Sequence, residues 1–425
     1  MDRQPATTVE LTTTGGGRDY VCPGETHAIS RPVHLARLAA YYPKCRDCRH
    51  RQDAGHLAVK ALPDPPSDRY APRRSLMVGE GVRGVYLNEL DRAATARFTA
   101  AFAGLLWERV PRPADRRPVV VAGCDQRPSS PDLIAGVFEA LKRMGCTVVD
   151  VGPTFTPHFR SSVREQNADG GVFVTGAGCE PSWNGLDFVG REARPISESV
   201  PDDFPVSLQD IHRRAEHVVS RPTRNAGSLR TLRAWARYER ALRDAYHALR
   251  PLAVVVGTTT AVQRRVLMRL FDALPCRLTV VQLPMRGRDL GDPLDPDVRR
   301  LGGVVAESRA HLGFLLDEDA QRCAAVDETG APVPPIELTC MLAGFVRSET
   351  DGSTILLEEE TPRATVGRVA AGGAVHVTKS SCAHVAATMR ERNADFAGGP
   401  SGRFWFRNPG PVCDALVTLA YLLAA

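Results

Sequence analysis

The chain has 425 residues, with 54 Lys and Arg against 49 Asp and Glu and a formal net charge of +5. It is too long for one hydrophobic core, and 43% hydrophobic with 24% charged residues is an ordinary globular composition, so several domains are expected. The small charge excess, the scattered arginines and the lack of any basic stretch interleaved with aromatics speak against nucleic acid as a partner, and no run of about 18 apolar residues offers a membrane span.

In chain order, the first 20 residues are Thr- and Gly-rich and read as disordered. They lack the apolar segment of a signal peptide, so a cytoplasmic location is expected. Residues 21–60 follow as a small module. Cys22 and His27 precede a helical stretch (Val33, Leu35, Leu38, Ala39), and Cys45 and Cys48 form a Cys-x-x-Cys knuckle after it. Three thiolates and one imidazole make a tetrahedral Cys₃His zinc site, closed to catalysis, with His34, His50 and His56 as competing ligands. Unliganded thiols and a redox pair are the other readings of the same residues. A zinc-organised module of this kind would serve a protein partner. Residues 61–76 are Pro-rich and read as a linker.

From Met77 strands and helices alternate, which implies mostly parallel sheets in an α/β protein. Helices are expected around Phe98–Leu106 and Leu133–Leu141, with strands at Val119–Val121, Thr147–Val151 and Val172–Val174. The charged stretch from Asp210 to Arg250 reads as helical. A second unit has strands at Leu252–Val256, Leu278–Leu283 and Leu312–Leu316, with a helix at Leu267–Leu274. A third has strands at Thr365–Val369 and Ala374–Val377, with helices at His384–Arg392 and Val412–Leu423. One α/β unit is thus used three times. Cys146, Cys276, Cys340 and Cys413 sit singly in apolar segments and read as buried thiols.

Six segments then carry a resemblance in a fixed order: Gly79-Glu-Gly-Val-Arg-Gly84; Gly123-Cys-Asp-Gln-Arg-Pro-Ser-Ser-Pro131; Thr154-Phe-Thr-Pro157; Ala168-Asp-Gly-Gly171; Asp292-Pro-Leu-Asp-Pro296; and Asn393 to Gly402. Together these resemble the α-D-phosphohexomutases (phosphoglucomutase, phosphomannomutase and phosphoglucosamine mutase). The resemblance implies a central cleft among four domains, a phosphoserine, a magnesium ion and a bisphosphate intermediate. It assigns residues 77–225, 226–347 and 348–425 to the first three domains. The chain ends after Ala425, with no Arg-x-x-Gly-Thr motif, so the fourth domain is expected to be absent.

Phosphoryl transfer through the enzyme requires a hydroxyl nucleophile on a tight loop. The family's Thr-Ala-Ser-His-Asn-Pro loop aligns with Thr175-Gly-Ala-Gly-Cys-Glu180, which places Ala177 at the phosphoserine and Gly178 at the histidine. The family's magnesium loop, Asp-Gly-Asp-x-Asp-Arg, aligns with Asp317-Glu-Asp-Ala-Gln-Arg322. Asp317, Asp319 and Gln321 then read either as a weakened magnesium site or as leftover turn residues. The sugar loop keeps Ser401, lacks the family's glutamate and has Arg403 in place of its histidine. Arg83, Arg127, Arg322 and Lys379 read either as a convergent phosphate-binding set or as local partners of Asp125, Asp317 and Asp319. The expectation is a phosphohexomutase homologue without catalysis, binding a hexose phosphate as a regulator or scaffold. Two alternatives stand beside it: an active intramolecular phosphotransferase with a non-standard nucleophile or a partner subunit, and a zinc-organised interaction module.

Overall fold

The computed structural model describes residues 20–40, 42–53, 76–198, 204–232, 235–247, 249–408 and 410–425. The expected disordered start up to residue 19, the linker over 61–75 and His56 lie outside them. The chain divides into two compact units, 1–74 and 75–425.

The first unit holds a hairpin of β1 (Tyr20–Val21) and β2 (Ala28–Ile29), followed by α1 (Arg31–Ala39) and a 3₁₀ turn over Pro43–Asp47. Its centre is polar and aromatic. Tyr20 stacks on the buried His34 at 4.4 Å and meets the edge of His50 at 5.1 Å, and the His34 Nε2 lies 3.1 Å from the Asp53 carbonyl.

In the second unit a seven-stranded sheet contains β3 (Met77–Val78), β4 (Gly81–Val85), β5 (Val119–Cys124), β6 (Thr147–Pro153), β7 (Gly170–Val174), β8 (Trp183–Val189) and β9 (Ser228–Thr231), in the order β3-β4-β8-β7-β5-β6-β9. Its helices are α2 (Arg92–Arg109), α3 (Ser130–Arg143), α4 (Thr156–Glu165) and α5 (Leu208–Ala215). β9 and α6 (Trp235–Ala245) divide the stretch read from sequence as continuous helix. A five-stranded sheet follows, from β10 (Ala253–Thr258), β11 (Arg277–Gln282), β12 (Leu312–Leu316), β13 (Cys323–Val326) and β14 (Pro332–Val333), with α7 (Ala261–Phe271), α8 (Pro296–Ser308) and α9 (Pro335–Glu349). The last sheet has β15 (Ile355–Glu358), β16 (Val375–Thr378), β17 (Phe396–Gly398), β18 (Trp405–Phe406) and β19 (Val412–Cys413), with α10 (Arg363–Ala370), α11 (Cys382–Arg392) and α12 (Ala415–Ala424).

The two five-stranded sheets share one topology. Their orders are β11-β10-β12-β13-β14 and β16-β15-β17-β18-β19, each with two parallel pairings followed by two antiparallel ones. The seven-stranded sheet contains the same core, β6-β5-β7-β8-β4, but its outer antiparallel strand precedes the others in sequence. The central strands are buried on both faces: Val254–Val256, Phe314–Leu316 and Ile355–Leu357 are each at most 1% exposed.

Two readings from sequence are corrected. Thr365–Val369 lies in α10, not in a strand. Its β-branched residues fall at helical spacing, so Thr365 and Val369 are buried together and Val366 packs against the same core. Val412 and Cys413 form β19, and the helix starts only after Asp414, whose carboxylate accepts from the Leu416 and Val417 amides.

Candidate functional site

The acidic loop Asp317–Arg322 follows β12 and joins the three sheets. The Thr156 amide, at the start of α4, donates to the Asp319 carbonyl at 3.2 Å, and the Ala415 amide, at the start of α12, donates to the Ala320 carbonyl at 2.9 Å. Gln263 Nε2 donates to the Asp317 carbonyl at 2.5 Å, and the Cys323 amide to the Gly402 carbonyl at 3.0 Å. Ala320 takes φ 57° at the apex of the turn.

The loop's side chains turn inward on one another. The Gln321 amide N–H lies 2.9 Å from Asp317 Oδ1 and 3.2 Å from Asp319 Oδ1. Gln321 Nε2 donates to Asp319 Oδ2 at 2.5 Å, and Arg322 Nε to Asp317 Oδ2 at 3.2 Å. Gln321 Oε1 faces away, toward the Cys413 sulfur at 3.2 Å and the Cys382 sulfur at 3.8 Å. Burial and the neighbouring Asp319 push Asp317 well above the carboxylate range, whereas Asp319 is held low by the hydrogen bond from Asp317 and by Arg322. This donor set does not fit a magnesium ion: the carboxylate oxygens are engaged by N–H groups, and the one amide oxygen points elsewhere. Asp317, Asp319 and Gln321 are brought together, but as a closed turn.

Ala177 lies in the loop after β7, half-buried, and its amide donates to Thr175 Oγ1 at 3.1 Å. The next residue, Gly178, has φ 76°, and a Cβ there would stand 2.8 Å from the Arg322 Nη2. Gly178 thus leaves room for Arg322 to lie over the loop.

Of the four basic candidates, three are committed. Arg127 is 1% exposed. It donates to the carbonyls of Glu180 at 2.7 Å, Trp183 at 2.9 Å and Cys179 at 2.8 Å, and pairs with Glu318 and with Asp125. It is a strut that shapes the Ala177 loop. Burial pushes Glu318 up to about 7 against the pull of that guanidinium. Arg83 pairs with Asp187 at 2.7 Å, and Arg322 with Asp317. Lys379 is exposed at the end of β16. Ser401 donates to Glu358 Oε1 at 2.5 Å, and its amide to Oε2 at 2.9 Å, so its hydroxyl is spent on a buried carboxyl that burial pushes up.

Sequence reasoning missed Arg160 and understated Arg403. Arg160, on α4, is 6% exposed, and its Nε and that of Arg403 are sealed from solvent without a hydrogen-bond partner among the described residues. Both lie close to Cys382, Cys413 and Glu80, whose charges raise their pKa. No local motif marks Arg160. Its only signal is an arginine on the apolar face of a helix with Phe159 and Val163.

The zinc site expected from Cys22, His27, Cys45 and Cys48 is not assembled. Among the described residues no group of three or more His, Cys, Asp or Glu is placed to hold a metal ion. The three thiols are buried, but an Arg37 guanidinium N–H donates to the Cys22 sulfur at 3.0 Å, and the exposed His27 ring lies beside the Thr26 hydroxyl at 3.1 Å. No helix of the described residues is long and apolar enough to cross a membrane.

Residues 74–204 match the family described as phosphoglucomutase/phosphomannomutase, alpha/beta/alpha domain I. The chain is 26% identical over 295 residues to a phosphomannomutase/phosphoglucomutase of Pseudomonas aeruginosa, covering 68% of this chain and 62% of that protein. It is 27% identical over 355 residues to a phosphoglucosamine mutase of Corynebacterium urealyticum, covering 81% and 77%. Among solved structures, a phosphoglucomutase/phosphomannomutase family protein of Burkholderia thailandensis superposes with a TM-score of 0.71 at 24% identity, over 81% of this chain and 75% of that one. A phosphomannomutase fold from Thermus thermophilus gives 0.66 at 21%, over 81% and 78%.

Proposed function

The chain belongs to the α-D-phosphohexomutase family, and from that premise we propose that it is a homologue without phosphoryl transfer that binds a phosphorylated hexose through its cleft as a regulator or scaffold. The observation that carries this reading is Ala177: a methyl group stands where the reaction requires a hydroxyl, and Arg322 lies against the next residue of the loop. The closed Asp317–Asp319–Gln321 turn supports it, because a magnesium ion that would offset phosphate charge finds no open oxygen set there.

Binding is supported by Arg160 and Arg403. A buried Nε without a hydrogen-bond partner is costly, and a phosphate that accepted from both would offset that cost. These two residues replace Arg83, Arg127, Arg322 and Lys379 as the proposed anion contacts. The protein partner of a scaffold would be met outside this cleft.

The test is a coupled mutase assay with glucose 1-phosphate or mannose 1-phosphate, a bisphosphate primer and magnesium, run beside calorimetric titration of the same sugar phosphates. Binding without turnover is expected. Turnover in the ordinary enzyme range, about 1 to 1000 per second, or a phospho-adduct in the intact mass, would instead favour a non-standard nucleophile.

A further inference from the structure

Cys382 and Cys413 are placed together by the third sheet. Cys382 is the first residue of α11, directly after the N-cap Ser381, and Cys413 lies in β19. Both belong to one buried cluster with Leu356, Val385 and Trp405, at 3% and 0% exposure. Both sulfurs lie on one acceptor, Gln321 Oε1, Cys413 at 3.2 Å and Cys382 at 3.8 Å. Around them stand Arg160 and Arg403, each with an unpartnered Nε.

From this geometry we infer that Cys382 and Cys413 are a redox-active dithiol that forms a reversible disulfide when the protein meets a hydroperoxide. The N-terminus of α11 and the two neighbouring guanidinium groups favour the Cys382 thiolate. The Cys413 sulfur beside it lowers the Cys382 thiol against the push of burial, whereas burial pushes Cys413 well up and Cys124 and Cys146 up to about 12. In the first step the Cys382 thiolate attacks the peroxide: an S–O bond forms, the O–O bond breaks and the alcohol or water leaves with a proton. In the second, the Cys413 thiol gives up its proton and attacks the sulfenic sulfur: the S–S bond forms, the S–O bond breaks and water leaves. Two thiols and one hydroperoxide thus give a disulfide, an alcohol and water.

The disulfide removes the Cys413 S–H donor from Gln321 Oε1 and the thiolate charge from beside Arg160 and Arg403. Since Gln321 also holds Asp319, the change reaches the loop that joins the three sheets.

The experiment treats the folded full-length chain with hydrogen peroxide, blocks remaining thiols and maps tryptic peptides. A Cys382–Cys413 crosslink is expected, lost on adding dithiothreitol. In Cys413→Ser, dimedone is expected to label Cys382. In Cys382→Ser, Cys413 is expected to stay unlabelled. Recovery of both wild-type thiols reduced after the treatment overturns the inference, as does first labelling at Cys413. If a variant proves unfolded by circular dichroism, the wild-type crosslink decides alone. The inference is independent of sugar-phosphate binding, which the crosslink does not measure.

Discussion

Ala177 invites a single-residue repair, and its surroundings indicate why that repair would not suffice. Ala177→Ser supplies a hydroxyl but leaves Arg322 over Gly178 and both aspartates engaged by Gln321 and Arg322. Turnover below detection is expected for this variant in the coupled assay, and a rate near 1 per second or above would show the site to be only one hydroxyl short. Glu318 gives a pH signature. Its carboxyl titrates near 7 in the folded protein against the ordinary 4.5, so the folded state holds a proton that the unfolded state releases earlier. That contribution is fully present below about pH 4.5, is lost as the pH rises to about 7, and amounts to at most about 3 kcal/mol. Thermal melts from pH 4.5 to 8 should fall across this window, and Glu318→Gln should flatten the fall. An unchanged slope in the variant would assign the dependence to other groups, such as Asp414, which burial pushes up to about 6.

At the scale of elements, the start of α12 joins secondary structure to tertiary packing. Asp414 caps the helix through the Leu416 and Val417 amides and accepts from the Tyr238 hydroxyl of α6 at 2.7 Å. Asp414→Ala removes the cap and leaves a buried phenol unpaired, and a loss of about 2 to 4 kcal/mol is expected in denaturant melts. A loss of a few tenths would mean that the helix is held by its apolar face alone. Gly178 is the matching case in a loop. With φ 76° and Arg322 against it, Gly178→Ala should cost about 1 to 2 kcal/mol, read as a lower melting temperature. Helices and strands were legible where one periodicity ran for a full element, as at Leu312–Leu316. They were not where β-branched residues sat on a helix, as at Thr365–Val369, because packing against the core overrode propensity.

For the whole molecule, the charge inventory around the Asp317–Arg322 loop separates Arg322, paired with Asp317, from Arg160 and Arg403, each with an unsatisfied Nε. Arg160→Met should abolish the shift in melting temperature that inorganic phosphate or a hexose phosphate produces. A lower melting temperature with an intact phosphate shift would remove Arg160 from the site. The composition of Ala177, Gly178 and Gln321, the repetition of one α/β unit and the order of its motifs were all determined by the sequence, because each depends on residue identity and short-range pattern. Which arginines remain available was decided only by the tertiary structure. Arg127 is spent on Glu318, which lies in another sheet's loop, and Cys382 meets Cys413 and Gln321 across the same junction. Pairings between residues so distant in the chain are set by how the sheets pack, and no local spacing encodes them.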